Sequence, residues 1–140
     1  QMCIRDRSQH GLEPMARMIS SAVVGVPPRI MGIGPVEASK KALAKAGLGW
    51  DDLDVIELNE AFAAQSLACI RSWNLQDDDP RINPNGGAIA LGHPLGMTGS
   101  RILLSAARQL RRTGGKHALV TLCIGVGQGY AAVIQNTASS

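Results

Sequence analysis

Apolar and polar positions along this chain fall into blocks whose period changes. Residues 15–26 (MARMISSAVVGV) turn apolar and β-branched toward Pro27-Pro28, which predicts a strand that stops at the prolines. Gly34-Pro35 opens a helix with Pro at its first position; Val36, Ser39, Leu43 and Ala46 share one face, and Gly47 ends it. Asp54 to Leu58 reads as a short strand. A second helix is predicted from Asn59 to about Trp73, with Ala63, Ser66, Leu67 and Ile70 on a common stripe, followed by the polar loop Gln76-Asp77-Asp78-Asp79-Pro80. Glycines and prolines crowd residues 83–99, which suit neither helix nor regular strand. A third helix runs from about Ser100 to Arg112, with Ile102, Leu103, Ala106, Ala107 and Leu110 inward. Residues 117–123 and 129–135 are two further strands, and the link Ile124-Gly125-Val126-Gly127-Gln128 is short enough for a hairpin.

The resulting order, β-α-β-α-loop-α-β-β, predicts an α/β fold. Its sheet should be mostly parallel, covered by helices, and closed by an antiparallel final pair. No internal repeat is evident. A chain of 140 residues fits one domain with room for a real core. With only two Trp, one Tyr and one Phe, that core must be built from Ala, Val, Ile and Leu. The first seven residues, Gln-Met-Cys-Ile-Arg-Asp-Arg, are charged and join abruptly to Ser8-Gln9-His10-Gly11. They are expected to be a leader foreign to the fold, with the domain at residues 8–140.

The net charge of +3 and pI of about 9.0 are too mild to argue for a nucleic-acid partner, and aromatic platforms for bases are nearly absent. Arg108, Arg111, Arg112 and Lys116 cluster near the end of the third helix. They either complement its C-terminal dipole or attract an anionic, phosphate-bearing ligand. Cys3, Cys69 and Cys123 have no metal-ligand spacing, and their odd number suggests a reducing compartment rather than a disulfide framework. No apolar run approaches the roughly 18 residues of a membrane span, and no signal-peptide pattern appears. A cytoplasmic location with no metal and no membrane partner is the expectation.

Candidate chemistry lies in three segments. In Gly86–Gly96, His93 is locked between Gly92 and Pro94 among small apolar residues. A fixed, partly desolvated imidazole can act as a general base or hydrogen-bond donor, although a His in an apolar run also serves as a satisfied structural residue. Repeated glycine around it points to tight backbone geometry or close ligand approach. Cys123 ends a strand beside a glycine-rich turn whose N–H groups can bind an oxyanion, or else it is a small buried hydrophobe. Asn59-Glu60-Ala61-Phe62 stands at a strand-to-helix junction, where Asn59 suits an N-cap, Glu60 the first turn, and Phe62 the core. Gly32-Ile33-Gly34 and Gly125-Val126-Gly127-Gln128-Gly129 do not make a dinucleotide-binding fingerprint.

Taken together, Asn59-Glu60-Ala61-Phe62, the Gly86–Gly96 run with His93, and Cys123-Ile124-Gly125 resemble the three C-terminal signature blocks of the thiolases, over roughly residues 10–135. Thiolases cleave 3-oxoacyl-CoA with coenzyme A or condense two acyl-CoA molecules. Their fold is a five-layered arrangement of two similar halves, and this chain resembles the C-terminal half. The resemblance implies a mixed five-stranded sheet with helices on both faces. It further implies that His93 activates a nucleophilic cysteine and helps to bind the thioester oxygen. Asn59 would hold a water completing that first oxyanion hole. Cys123 would be the acid/base, and the Gly125 N–H would serve a second oxyanion hole. Phe62 and Gly92 would line the bound substrate. Coenzyme A enters as a substrate, with no resident cofactor.

The family's nucleophilic cysteine belongs to a block that has no counterpart here, since Cys3 and Cys69 stand in other contexts. The chain is therefore expected to need an N-terminal half, to be inactive alone, and to form a homo-oligomer only as part of a longer enzyme. Ketoacyl synthases share the chemistry but carry a His where Cys123 stands. A non-catalytic CoA-binding or structural module of thiolase-like fold is the other reading. Val126, Gln128 and the Asp77–Arg81 loop resemble the degradative and 3-oxoadipyl-CoA branch more than the acetoacetyl-CoA-forming one.

Overall fold

The computed structural model describes residues 3–138. After a short helix α1 (Cys3–Gln9) come strand β1 (Ala16–Gly25) and a 3-10 segment (Pro28–Ile33) that leads into helix α2 (Gly34–Ala46). Strand β2 (Val55–Leu58), helix α3 (Ala63–Ser72), the single turn α4 (Ala88–Leu91) and the long helix α5 (Thr98–Thr113) follow. Strands β3 (His117–Ile124) and β4 (Gln128–Asn136) complete the chain as a hairpin. The long helices end where the sequence calls for it. Gly47 and Gly114 adopt left-handed φ values of 68° and 75°, a conformation that costs glycine little.

The sheet order is β1-β4-β3-β2. Strands β1, β2 and β3 run in one direction, as their alternation with helices requires. The returning strand β4 inserts between β1 and β3, so two of the three pairings are antiparallel and only β2·β3 is parallel. The sheet is thus mixed rather than mostly parallel. It has four strands among the described residues, not five. The free edge of β2 explains the missing neighbour. There the chain makes one bridge, Ile56 to Ile82, and then turns away. The Asn83 side chain accepts from Leu58 N–H at 2.9 Å and donates to Leu58 C=O at 2.9 Å, taking both groups that another strand would use.

Side-chain alternation on the strands sorts the core into two layers. Ile56, Leu58, Leu119, Ala131 and Val133 pack against Ala38, Ala42 and Leu43 of α2 and Cys69 and Ile70 of α3. Val55, Ala118, Val120 and Ile134 pack against Ile102, Ala106, Ala107 and Leu110 of α5 on the opposite face. Helices therefore cover both faces of the sheet. The buried residues of α3 are Gln65, Ser66, Cys69 and Ile70; Ala63 and Leu67, expected on that stripe, are exposed. Among the described residues no helix is long and apolar enough to cross a membrane.

Candidate active site

The expected second helix begins at Ala63, not at Asn59, and Phe62 stands at its N-cap. The residues before it are engaged elsewhere, which is why they do not cap it. Asn59 directly follows β2, and its N–H donates to the Thr121 carbonyl of β3 at 3.0 Å, so the parallel pair continues one step past Leu58. Cys123 lies two residues beyond Thr121 at the same end of the sheet, and Gly125 sits in the hairpin that follows. The carboxyl ends of parallel strands are where α/β proteins place their ligands. Phe62, expected in the core, is 65% exposed at this end.

His93 reaches Asn59 from a separate segment: Asn59 Nδ2 lies 3.3 Å from His93 Nε2. The other ring nitrogen, Nδ1, lies 2.7 Å from Thr98 Oγ1. The Thr98 hydroxyl donates its only proton to the Pro94 carbonyl at 3.0 Å. It can therefore only accept from His93, which places the imidazole proton on Nδ1 and leaves the Nε2 lone pair facing the Asn59 amide. Thr98 is fully buried at the first turn of α5, so this orientation is held by the helix itself. Gly92 has φ 94° and ψ 164°, a region open essentially to glycine alone, and a Cβ there would meet open space. Glycine is needed at that position for the turn into His93 rather than for close packing.

Cys123 has a buried thiol, and burial pushes its pKa up, so it rests as a neutral thiol. No hydrogen bond joins it to His93 or Asn59 among the described residues; what they share is the sheet edge. Its strand partner, Gly129, leaves room for the first turn of α2, since a Cβ on Gly129 would come within 2.1 Å of the Gly34 backbone. Asn59 Oδ1 is buried and has no partner among the described residues. Beneath the site, Glu57 is 1% exposed, and burial raises its pKa from 4.5 to about 7 despite the opposing charge of Arg101.

The sequence brought His93, Cys123, Asn59, Phe62, Gly92 and Gly125 into view, and the structure gathers Asn59, Phe62, Cys123 and Gly125 at one end of β2 and β3, with His93 joined to Asn59 by its ring nitrogen. Thr98, Glu57 and Asn83 were not singled out. A hydroxyl at a helix start five residues after His93 was a visible signal for Thr98, but which way the intervening loop turns was not.

Comparison with known proteins shows the family to which the chain belongs. The family model for the thiolase C-terminal domain matches residues 12–136. The chain is 58% identical over 125 residues to the 3-oxoadipyl-CoA/3-oxo-5,6-dehydrosuberyl-CoA thiolase of Escherichia coli (strain K12), covering 89% of this chain and 31% of that protein. It is 58% identical over 127 residues to the beta-ketoadipyl-CoA thiolase of Pseudomonas aeruginosa, covering 91% of this chain and 32% of that one. The crystal structure of human mitochondrial 3-ketoacyl-CoA thiolase, also solved in complex with CoA, superimposes with a TM-score of 0.89 at 51% identity, over 96% of this chain and 34% of that one. The chain thus spans about a third of the length of these relatives.

Proposed function

The chain belongs to the thiolase family, as its C-terminal domain, and from that premise we propose that it supplies the base, the first oxyanion-binding group and the acid/base thiol of an enzyme that cleaves 3-oxoacyl-CoA with coenzyme A. The observation that carries this reading is the hydrogen-bonded run Pro94–Thr98–His93–Asn59 at the end of the sheet that also holds Cys123. With its proton on Nδ1, His93 presents a basic Nε2 lone pair, which exchanges its contact with the Asn59 amide for the proton of a cysteine thiol contributed by the rest of the enzyme. That thiolate attacks the 3-oxo carbonyl, and the C2–C3 bond breaks. The electron pair passes to the thioester enolate, whose oxygen is met by the newly protonated Nε2–H and by a water held on Asn59. The neutral Cys123 thiol then gives its proton to the enolate carbon, releasing acetyl-CoA or its homologue. Coenzyme A attacks the acyl-enzyme and gives its thiol proton to the Cys123 thiolate. The Gly125 N–H receives the oxyanion of that second step, and the departing cysteine recovers its proton from His93. Run backwards, the same sequence is a Claisen condensation.

A 3-oxodicarboxylyl-CoA such as 3-oxoadipyl-CoA is the proposed substrate. The 58% identity to thiolases so named, against 51% to an acetyl-CoA acetyltransferase of Syntrophomonas wolfei, supports it. An N-terminal half would dock on the apolar trough lined by Met15, Met18, Leu103, Leu104 and Ile134, where α5 leaves the β1–β4 half of the sheet bare. The test uses the complete polypeptide encoded by the gene that carries this chain, supplied with 3-oxoadipyl-CoA and coenzyme A. Acetyl-type product release is followed directly. Thiolysis is expected, and His93→Ala or Cys123→Ala should each lower kcat by about a hundredfold or more. Turnover indifferent to both substitutions overturns the reading. Absence of turnover in the unsubstituted polypeptide favours the non-catalytic module. Residues 1–140 alone, lacking the nucleophile, should give no product above background.

A further inference from the structure

Glu60 stands next to Asn59 but does different work. With α3 starting at Ala63, it is not a first-turn acid of that helix. Its carboxylate instead bridges two other segments. Oε1 accepts from Asn83 Nδ2 at 3.0 Å, and Oε2 accepts from the Ile89 N–H at 3.1 Å. Ile89 belongs to α4, the single turn that runs into Gly92 and His93. Asn83, for its part, grips both backbone groups of Leu58. Glu60 therefore ties the end of β2, which carries Asn59, to the segment that carries His93.

Gly87 gives this bridge a second signature. A Cβ built there would lie 2.1 Å from Glu60 Cδ and 2.2 and 2.3 Å from its two oxygens. The backbone of Gly87, at φ −100° and ψ −167°, is open to any residue. A methyl group at this position would be admitted by the local backbone conformation, but only if the Glu60 carboxylate left its seat.

We propose that Glu60 is a positioning residue for His93: its carboxylate, seated against Gly87 and bonded to Ile89 and Asn83, sets the approach of the imidazole to the Asn59 amide. The proposal rests on the thiolase reading above. Removing the bridge should let the His93 segment drift from Asn59, and a displacement of about 1 Å at a reacting group can cost about a hundredfold in rate.

The test is a double-substitution cycle in the complete polypeptide, with kcat and KM for 3-oxoadipyl-CoA measured separately per folded molecule. Glu60→Ala is expected to lower kcat about tenfold or more with KM changed by less than about twofold. Gly87→Ala should act in the same direction while Glu60 is present. In the Glu60→Ala background it should add little, because the methyl group enters the space that the carboxylate left. Glu60→Gln keeps the bulk but accepts only one of the two bonds, so it should show a smaller loss and still exclude Ala at position 87. This variant carries the cycle if Glu60→Ala does not fold. Effects that simply multiply, or a kcat unchanged in folded Glu60→Ala and Glu60→Gln, overturn the proposal. Thiolysis that ignores Glu60 overturns this inference alone, whereas no thiolysis in the unsubstituted enzyme overturns the functional reading and this inference with it.

Discussion

A hydroxyl carries one proton, and Thr98 gives it to the Pro94 carbonyl, which leaves His93 to donate from Nδ1. Thr98→Val keeps the shape but removes the acceptor. The ring is then free to place its proton on either nitrogen, and kcat in the complete enzyme is expected to fall about tenfold or more, while Thr98→Ser keeps most of it. A steady-state comparison of the two variants checks this. Glu57 offers a different measurement. Its folded pKa of about 7 lies above the ordinary 4.5, so between these values the folded state holds a proton that the unfolded chain has lost. Its contribution to stability is therefore full below pH 4.5 and is lost as the pH rises through about 7. Glu57→Gln, which stays neutral, should flatten that slope and gain up to about 3 kcal/mol relative to the native residue at alkaline pH. Denaturant titrations of both proteins at acid and alkaline pH would settle the sign.

At the level of elements, the close approach of α2 to β4 depends on what is absent from Gly129. A methyl group there would meet the Gly34 backbone, which has no rotamer by which to move aside. Gly129→Ala should destabilise the domain by about 3 kcal/mol or more, and it should disturb the strand pair that presents Cys123. The same substitution at Gly99, within α5 and with nothing near its Cβ position, should stabilise by about 0.5–1 kcal/mol. Paired thermal melts would show opposite shifts. The hairpin adds a further constraint, because Val126 takes φ 68° and Gly127 φ 92°. A β-branched residue in that region is strained, and the strain sits in the loop that aims the Gly125 N–H.

Over the whole molecule, the asymmetry of the two faces matters most. One face of the sheet is sealed by α2 and α3. On the other, α5 covers mainly β2 and β3 and leaves an apolar trough beside Met18, Leu103 and Leu104. Exposed apolar surface of this kind promotes association. Residues 1–140 in isolation should therefore self-associate, and Met18→Lys with Leu104→Glu should suppress it, as read by light scattering. In the complete enzyme the same pair should weaken assembly.

Much of this protein was legible as a linear pattern. Period and punctuation located all four strands and helices α2 and α5, because proline and glycine act locally, through φ and missing N–H groups. His93, Asn59 and Cys123 were legible because their blocks keep order and spacing. The start of α3 was misplaced because capping propensity is a local preference, and here the tertiary partners of Asn59 and Glu60 outbid it. The parallel character of the sheet was overstated because no local signal reveals that β4 inserts between β1 and β3. Glu60 and Gly87 acquired meaning only through contacts between segments far apart in the chain, and Thr98 through the way the short loop after His93 turns back on it. Sequence by itself determined which residue types were available and where the chain could bend. Only the tertiary structure decided which of them meet, since hydrogen bonds and steric exclusion act through space.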